Sequence, residues 1–199
     1  MSPPKKLLRP DLAVIARHVA PGTRALDIGC GDGELMAALQ ARGCDARGME
    51  IDPELVERCV SRGLSVVQGD ADRDLADYPD KAFDYAILSQ TLQTAARPDR
   101  MLDELLRVGR QAFVSFPNFA HWRMRAALAL RGRMPVTRHL PVSWYETQNI
   151  HHVTVADFRE LVRAMGVTVE REWFFSRESA IGGAAANLRA EYAVFELSR

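Results

Sequence analysis

The sequence predicts one α/β domain built on a doubly wound, Rossmann-like sheet, mostly parallel with one antiparallel edge strand. Strand-like apolar runs alternate with helix-like patterns from about residue 25 to residue 116, the spacing of consecutive βαβ units. The first run, Ala25-Leu26-Asp27-Ile28, breaks into Gly29-Cys30-Gly31-Asp32-Gly33 and opens directly into a helix beginning near Glu34. Asp27, Glu50, Asp70 and Ser89-Gln90 fall at the carboxyl ends of successive strands, where open α/β sheets bind their ligands. A length of 199 residues with 47% apolar content suffices for one domain with a substantial core, taken as residues 1–199.

The elements follow in order. Leu12, Ile15, Ala16 and Val19 share one face of a short helix, N-capped by Asp11, stopped by Pro21-Gly22 and expected to cover the sheet edge. Glu34 to Arg42 is a helix ended by Gly43, and Ala46 to Glu50 is the second strand. Asp52-Pro53 pairs an N-cap with proline at the first helical position of a helix running to Gly63. Leu64 to Gln68 is the third strand, stopped by Gly69-Asp70; Leu75 to Lys81 reads as a polar connection, and Phe83 to Leu88 as the fourth strand. Arg97-Pro98 starts a helix with the stripe Met101, Leu102, Leu105 and Leu106, followed by the fifth strand, Gln111 to Phe116.

Beyond Phe116 the pattern changes. Asn118 reads as the N-cap of an amphipathic basic helix, His121 to Leu130, carrying Arg123 and Arg125 with Arg131 and Arg133 just past it. Met134 to Val153 is interrupted by proline and holds His139, Trp144, Tyr145, His151 and His152; a stretch this long without regular structure is usually functional or disordered. Residues 117–153 are therefore expected to form an inserted helix and loop for substrate or partner contact. Thr154 with Asp157 opens a helix through Met165, ended by Gly166. Val167 to Phe174 and Arg189 to Leu197, joined through Gly182-Gly183, read as a final antiparallel hairpin at one sheet edge.

Composition excludes several classes of function. Lys plus Arg equals Asp plus Glu at 26 each, so no global field draws the chain to nucleic acid or to an anionic membrane. The apolar runs are broken by Arg or His well short of a bilayer span, and Met1 to Pro10 has two lysines with no apolar segment behind them, which points to a cytoplasmic protein. Cys30, Cys44 and Cys59 are odd in number, far apart and without a C-x-x-C pair, so they read as small buried apolar residues, not a disulfide framework or zinc site. His151 and His152 would point oppositely in an extended chain, and no metal site is expected.

The glycine turn narrows the ligand. Glycines at 29, 31 and 33 let a small molecule approach bare backbone at a helix start. Counting G-x-G-x-x-G from Gly29 or Gly31 places Glu34 or Met36 at the last glycine, which removes the dinucleotide fingerprint. No Gly-Lys-Ser/Thr follows, and Asp27 and Asp32 flank the turn where a pyrophosphate would meet like charge. A ligand without phosphate and with a cationic end fits, and S-adenosylmethionine is such a ligand. A ribose diol can donate two hydrogen bonds to the Glu50 carboxylate.

With Leu26-Asp-Ile-Gly-Cys-Gly-Asp-Gly33, Glu50, Gly69-Asp70 and Phe83-Asp84-Tyr85, the sequence resembles the class I S-adenosylmethionine-dependent methyltransferases over roughly residues 20 to 116. The resemblance implies that Asp27, Gly29, Cys30, Gly31 and Gly33 hold the methionine portion of S-adenosylmethionine or S-adenosylhomocysteine. It also implies Glu50 with Ile51 at the ribose, Asp70 with Gly69 and Ala71 at the adenine, and Ser89 and Gln90 beside the methyl group. Across nearly the whole chain, Ile87-Leu-Ser-Gln-Thr-Leu-Gln93, Ser115-Phe-Pro-Asn-Phe119, Arg131-Gly-Arg-Met-Pro-Val136 and Asn149-Ile-His151 with Asp157-Phe158 are similar to the methionine biosynthesis protein MetW family. That likeness implies a partner, a homoserine O-acyltransferase of the MetX type. Two functions follow: an accessory protein that keeps the pocket and supports or regulates homoserine acylation, or a small-molecule methyltransferase. The second needs a base, for which His121, His151, His152 and Tyr145 are the candidates, and no second motif sets any of them against Ser89 and Gln90.

Overall fold

The computed structural model describes residues 8–137 and 142–199; His139 and the lysines of the N-terminal stretch lie outside them. Helix α1 (Pro10–His18) precedes strand β1 (Arg24–Ile28), and α2 (Glu34–Gln40), β2 (Asp45–Glu50), α3 (Pro53–Ser61) and β3 (Ser65–Gln68) follow. A one-turn helix α4 (Ala71–Asp74) and a 3-10 turn occupy the polar connection before β4 (Phe83–Ser89), α5 (Pro98–Val108) and β5 (Gly109–Pro117). The rest comprises α6 (Trp122–Arg131), α7 (Val155–Ala164), β6 (Thr168–Ser176), β7 (Ser179–Ile181), α8 (Ala186–Arg189) and β8 (Tyr192–Ser198).

All eight strands form one sheet in the order β3-β2-β1-β4-β5-β8-β6-β7. Strands β1 to β5 are mutually parallel, as the βαβ spacing predicts. The short β7 is the antiparallel edge strand, paired with β6. Strand β8 runs antiparallel to both β5 and β6, so the last two long strands form the expected antiparallel pair at this end of the sheet, with β8 as its inner member and β6 flanked by β7. The reason is burial: Tyr192 to Leu197 are buried in succession, which a strand covered on both faces requires. Arg189 belongs to α8 and not to this strand.

Alternation along the central strands divides the core into two layers. Ile87, Phe113 and Val194 face Ile15, Met36 and Leu39 of α1 and α2. Leu88, Val114 and Phe195 face Leu102, Leu105 and Phe158 of α5 and α7. Helix α1 thus packs on the middle of the sheet and not its edge. Asp11 is inside that helix, which begins at Pro10 after Arg9, so it is not the N-cap.

Asn118 does not cap α6 either; the His121 side chain does, accepting from the Arg123 N–H. Asn118 is 3% exposed, and its amide ties three elements together. Nδ2 donates to the carbonyls of Asn187 (3.1 Å) and Ala190 (2.8 Å), while Oδ1 accepts from the N–H of Ala120 (3.1 Å) and of Val155 (3.3 Å), the first residue of α7. Asn118→Ala strands four backbone groups, three of them in buried contacts, and should cost about 2–4 kcal/mol, lowering Tm by roughly 5–15 °C in calorimetry.

Candidate functional site

The site lies at the carboxyl ends of β1, β4 and β5. Asp27, on the next-to-last position of β1, is 3% exposed, and its Oδ1 is buried with no hydrogen-bond partner. The chain then turns through Gly29 (φ 68°), Gly31 (φ 58°) and Gly33 (φ 76°), a left-handed series that favours glycine at each position.

The three glycines do different work. A Cβ on Gly29 would stand 2.6 Å from Thr91 Oγ1, and one on Gly33 would stand 2.3 Å from Leu64 Cδ1 and 3.0 Å from Cys59 Sγ, so both are glycine for packing. A Cβ on Gly31 would meet no atom within 4 Å. Gly31 lines a recess of about 120 Å³ walled also by Arg9, Asp27, Gly29, Cys30 and Ser89, among others. Gly31 leaves its side open to whatever fills that recess.

Glu50 braces the turn from behind. Its Oε2 accepts the Gly31 N–H at 2.8 Å, and Oε1 accepts the N–H groups of Ile51 (2.9 Å) and Asp52 (3.1 Å). A carboxylate offers about four acceptor directions, so one on Oε2 is left for a further donor.

Across the recess from the turn, the Asp11 carboxylate accepts from Arg9 Nε (3.2 Å) and Nη2 (3.1 Å) and from the hydroxyls of Ser89 (3.3 Å) and Ser115 (3.2 Å). Arg9 Nη2 also donates to Ser89 Oγ at 3.1 Å, which holds the guanidinium over the mouth. Gln90 takes φ 57°, rare for a residue with a side chain, and its N–H donates to the Ser115 carbonyl at 2.9 Å.

Burial pushes the Asp27 carboxyl up to about 7; the Arg9 charge opposes this and the Glu50 charge adds to it. Burial, then the Asp27 charge, pushes the Cys30 thiol up, so Cys30 is a protonated wall residue and not a nucleophile. All three cysteines are free and buried.

Of the residues singled out in the sequence, Asp27, Gly29, Cys30, Gly31 and Ser89 share the recess. Gly33 lies beneath it at the start of α2, and Gln90 follows Ser89 at the end of β4. Ile51, Gly69, Asp70 and Ala71 stand at the neighbouring ends of β2 and β3; Ile51 is exposed, and Asp70 caps α4 through Oδ1 to the Asp72 N–H at 3.1 Å. None of the four candidate bases walls the recess. His121 is a buried cap, His152 packs edge-on against Phe119, Tyr145 packs edge-on against Trp144, and His151 has a buried Nε2 without a partner.

Arg9, Asp11 and Ser115 complete the site and escaped the sequence reading. A faint signal existed: Ser115 interrupts the apolar run from Ala112 to Phe116, and a buried hydroxyl needs a partner.

A parallel five-stranded half, a glycine turn between β1 and α2, and an antiparallel strand beside β5 define the class I S-adenosylmethionine-dependent methyltransferase fold. The S-adenosylmethionine dependent methyltransferase from Mesorhizobium loti matches 95% of this chain and 98% of its own with a TM-score of 0.71 at 17% identity. The magnesium protoporphyrin IX methyltransferase of Synechocystis PCC 6803, solved with S-adenosylhomocysteine bound, matches 95% of this chain and 80% of its own with a TM-score of 0.66 at 18% identity. At such identities the likeness is one of fold.

Within that fold the chain belongs to the MetW family, whose profile, methionine biosynthesis protein MetW, matches residues 9–197. The bifunctional methionine biosynthesis protein MetXA/MetW of Rhodopirellula baltica is 34% identical over 178 residues, which are 84% of this chain. The chain spans 29% of that relative's length. The ubiquinone biosynthesis O-methyltransferase of Xylella fastidiosa (strain M23) is 31% identical over 170 residues, 80% of this chain and 67% of that protein. Among the described residues, no helix is long and apolar enough to cross a membrane.

Proposed function

We propose that this chain is a methionine-biosynthesis accessory protein that binds S-adenosylmethionine or S-adenosylhomocysteine at the glycine recess and supports or regulates homoserine O-acylation by a MetX-type acyltransferase. The observation that carries the ligand is the pairing of an unpartnered buried carboxylate, Asp27, with an open Gly31. The ligand's α-ammonium supplies the counter-charge Asp27 lacks, and its α-carboxylate suits the Arg9 guanidinium. Glu50 has one acceptor direction for a ribose hydroxyl, Asp70 stands at the next strand end for the adenine amino group, and exposed Ile51 offers an apolar surface to the base. The recess is smaller than the ~300–1,000 Å³ usual for small-molecule sites, so it takes the amino-acid end while the nucleoside lies along the ends of β2 and β3. S-adenosylmethionine supplies an electrophilic methyl group when bound; the chain's residues here bind and orient, and no base is assembled beside them.

The fusion with MetXA in R. baltica supports the partner. Two activities joined in one chain act at high effective concentration, which favours domains that work together. A pocket for a product of methionine metabolism coupled to an early acylation step would let the ligand bias the partner through different affinities for two states. Mixed with the homoserine O-acyltransferase of the same organism, the chain should co-elute as a stoichiometric complex in gel filtration. Separate elution, with S-adenosylhomocysteine formed when S-adenosylmethionine and cell extract are supplied, would favour the second reading, a small-molecule methyltransferase. That reading draws on the likeness to the O-methyltransferase of X. fastidiosa.

A further inference from the structure

The inserted helix and loop carry an unusual surface. Nine of the thirteen most exposed large apolar side chains among the described residues fall between Trp122 and Ile150. Leu130 is 84% exposed, Trp144 75% and Tyr145 70%. Helix α6 buries only Met124. Beside it, Met134, Val136, Val142 and Trp144 with Phe119 and His152 wall an apolar cavity of about 270 Å³. So many exposed apolar side chains within one segment differ from the singly scattered ones a monomer normally shows.

Its charge is one-sided. From Leu105 to Ala156 the only acidic residue is Glu146, although the whole chain is neutral. Arg123, Arg131 and Arg133 are exposed and make no ion pair among the described residues. Arg123 lies over the Trp122 ring at 5.3 Å.

The face is held in place by backbone contacts. Ile150 and His151 donate to the Gln93 carbonyl at 2.9 and 3.0 Å, Phe119 donates to the Val153 carbonyl at 3.0 Å, and the turn at Trp144-Tyr145 closes through Ser143 and Glu146. It therefore presents Trp144 and Tyr145 on a built turn.

We infer that the face formed by Met134, Val136, Val142 and Trp144 around the apolar cavity, with Tyr145 packed on Trp144 and with Arg131 and Arg133 leading into Met134, docks on the acyltransferase partner through an apolar patch bordered by Asp and Glu; the inference rests on the accessory reading above. Exposed Trp, Tyr and Arg around an apolar centre are the residue types that dominate protein interfaces. A second copy is the wrong occupant, because a two-fold contact would set this face against itself, and Glu146 is its one acidic side chain against Arg131 and Arg133. A lipid surface is the wrong occupant too, because Arg123, Arg125 and Arg131 fall on different sides of α6 between Trp122, Leu128 and Leu130, without the two segregated faces a membrane helix needs. A polyanion would leave the aliphatic centre uncovered.

The test measures the affinity of the purified acyltransferase for the full chain by biolayer interferometry, alongside calorimetric binding of S-adenosylhomocysteine. Trp144→Ser should weaken association about thirtyfold or more. Arg131→Glu with Arg133→Glu should weaken it at least about tenfold and flatten its dependence on salt. S-adenosylhomocysteine binding should match wild type in each variant, which shows that they are folded. Wild-type association that survives all these substitutions overturns the docking face and leaves the accessory reading standing. Failure of the wild type to associate overturns both, and self-association abolished by the same variants assigns the face to a second copy instead.

Discussion

Gly31→Val should abolish calorimetric binding of S-adenosylhomocysteine, by at least about a hundredfold in Kd, while the protein stays folded. The added side chain meets no protein atom and stands on a residue that lines the recess, so it takes up room where the ligand would lie. The cost to the fold is the left-handed backbone at φ 58°, about 1–2 kcal/mol and a few degrees in Tm. Gly22→Val is the matched control: its φ is 77° and its Cβ also meets nothing, but it lies in the loop before β1 and lines no part of the recess. It should show the same strain with full binding. Gly33→Val should instead unfold or aggregate, because its Cβ collides with Leu64 and Cys59. Equal binding by wild type and Gly31→Val would remove the ligand from this recess.

The second large effect has opposite signs on stability and binding. Asp27 is protonated in the folded protein up to pH about 7, whereas an unfolded aspartate ionises near 3.8. Between those values the folded state holds a proton that the unfolded state has lost, so this residue's contribution makes stability fall as pH rises from about 4 through 7. Asp27→Asn removes the buried charge. It should be more stable than wild type at pH 8, on the order of 2–4 kcal/mol by urea unfolding, and indistinguishable from it near pH 4. Ligand binding runs the other way, because the ammonium needs the ionised carboxylate. Wild-type affinity should fall by up to about tenfold per pH unit below 7, and Asp27→Asn should bind weakly at every pH. A stable, fully binding Asp27→Asn protein would show that the carboxylate has no ligand.

The parts of this molecule that sequence makes legible are local. The glycine turn, the strand ends at Asp27 and Glu50, and the Asp52-Pro53 helix start are each written within a few residues, and each stands where expected. The errors arise from partners far away in the chain. Asp11 and Asn118 are the residue types that cap helices, and both precede apolar helical patterns. Yet Asp11 meets Ser115 across 104 positions, and Asn118 meets Ala190 across 72. A buried carboxylate or amide needs several partners, and local spacing cannot name them. The position of β8 is a matter of pairing order, which no local pattern encodes. The near-continuous apolar run from Tyr192 to Leu197 fits a strand covered on both faces, as its burial shows, but leaves its neighbours unnamed.

Glu50 shows a subtler limit. The family resemblance implies a ribose at Glu50, at the end of β2, but three backbone N–H groups already bind its carboxylate and fix the turn. Replacing it would disturb Gly31 as well as the ligand. Gly31 and Asp27 are therefore the cleaner probes of the pocket.

The most direct test of the account is thiol release from acyl-coenzyme A by the homoserine O-acyltransferase of the same organism, in the presence of homoserine, with and without this chain at matched concentration. Release should rise several-fold with the chain present, and added S-adenosylhomocysteine should change this rise in wild type but not with Gly31→Val. An acyltransferase equally active with and without the chain, at every ligand concentration, would contradict it.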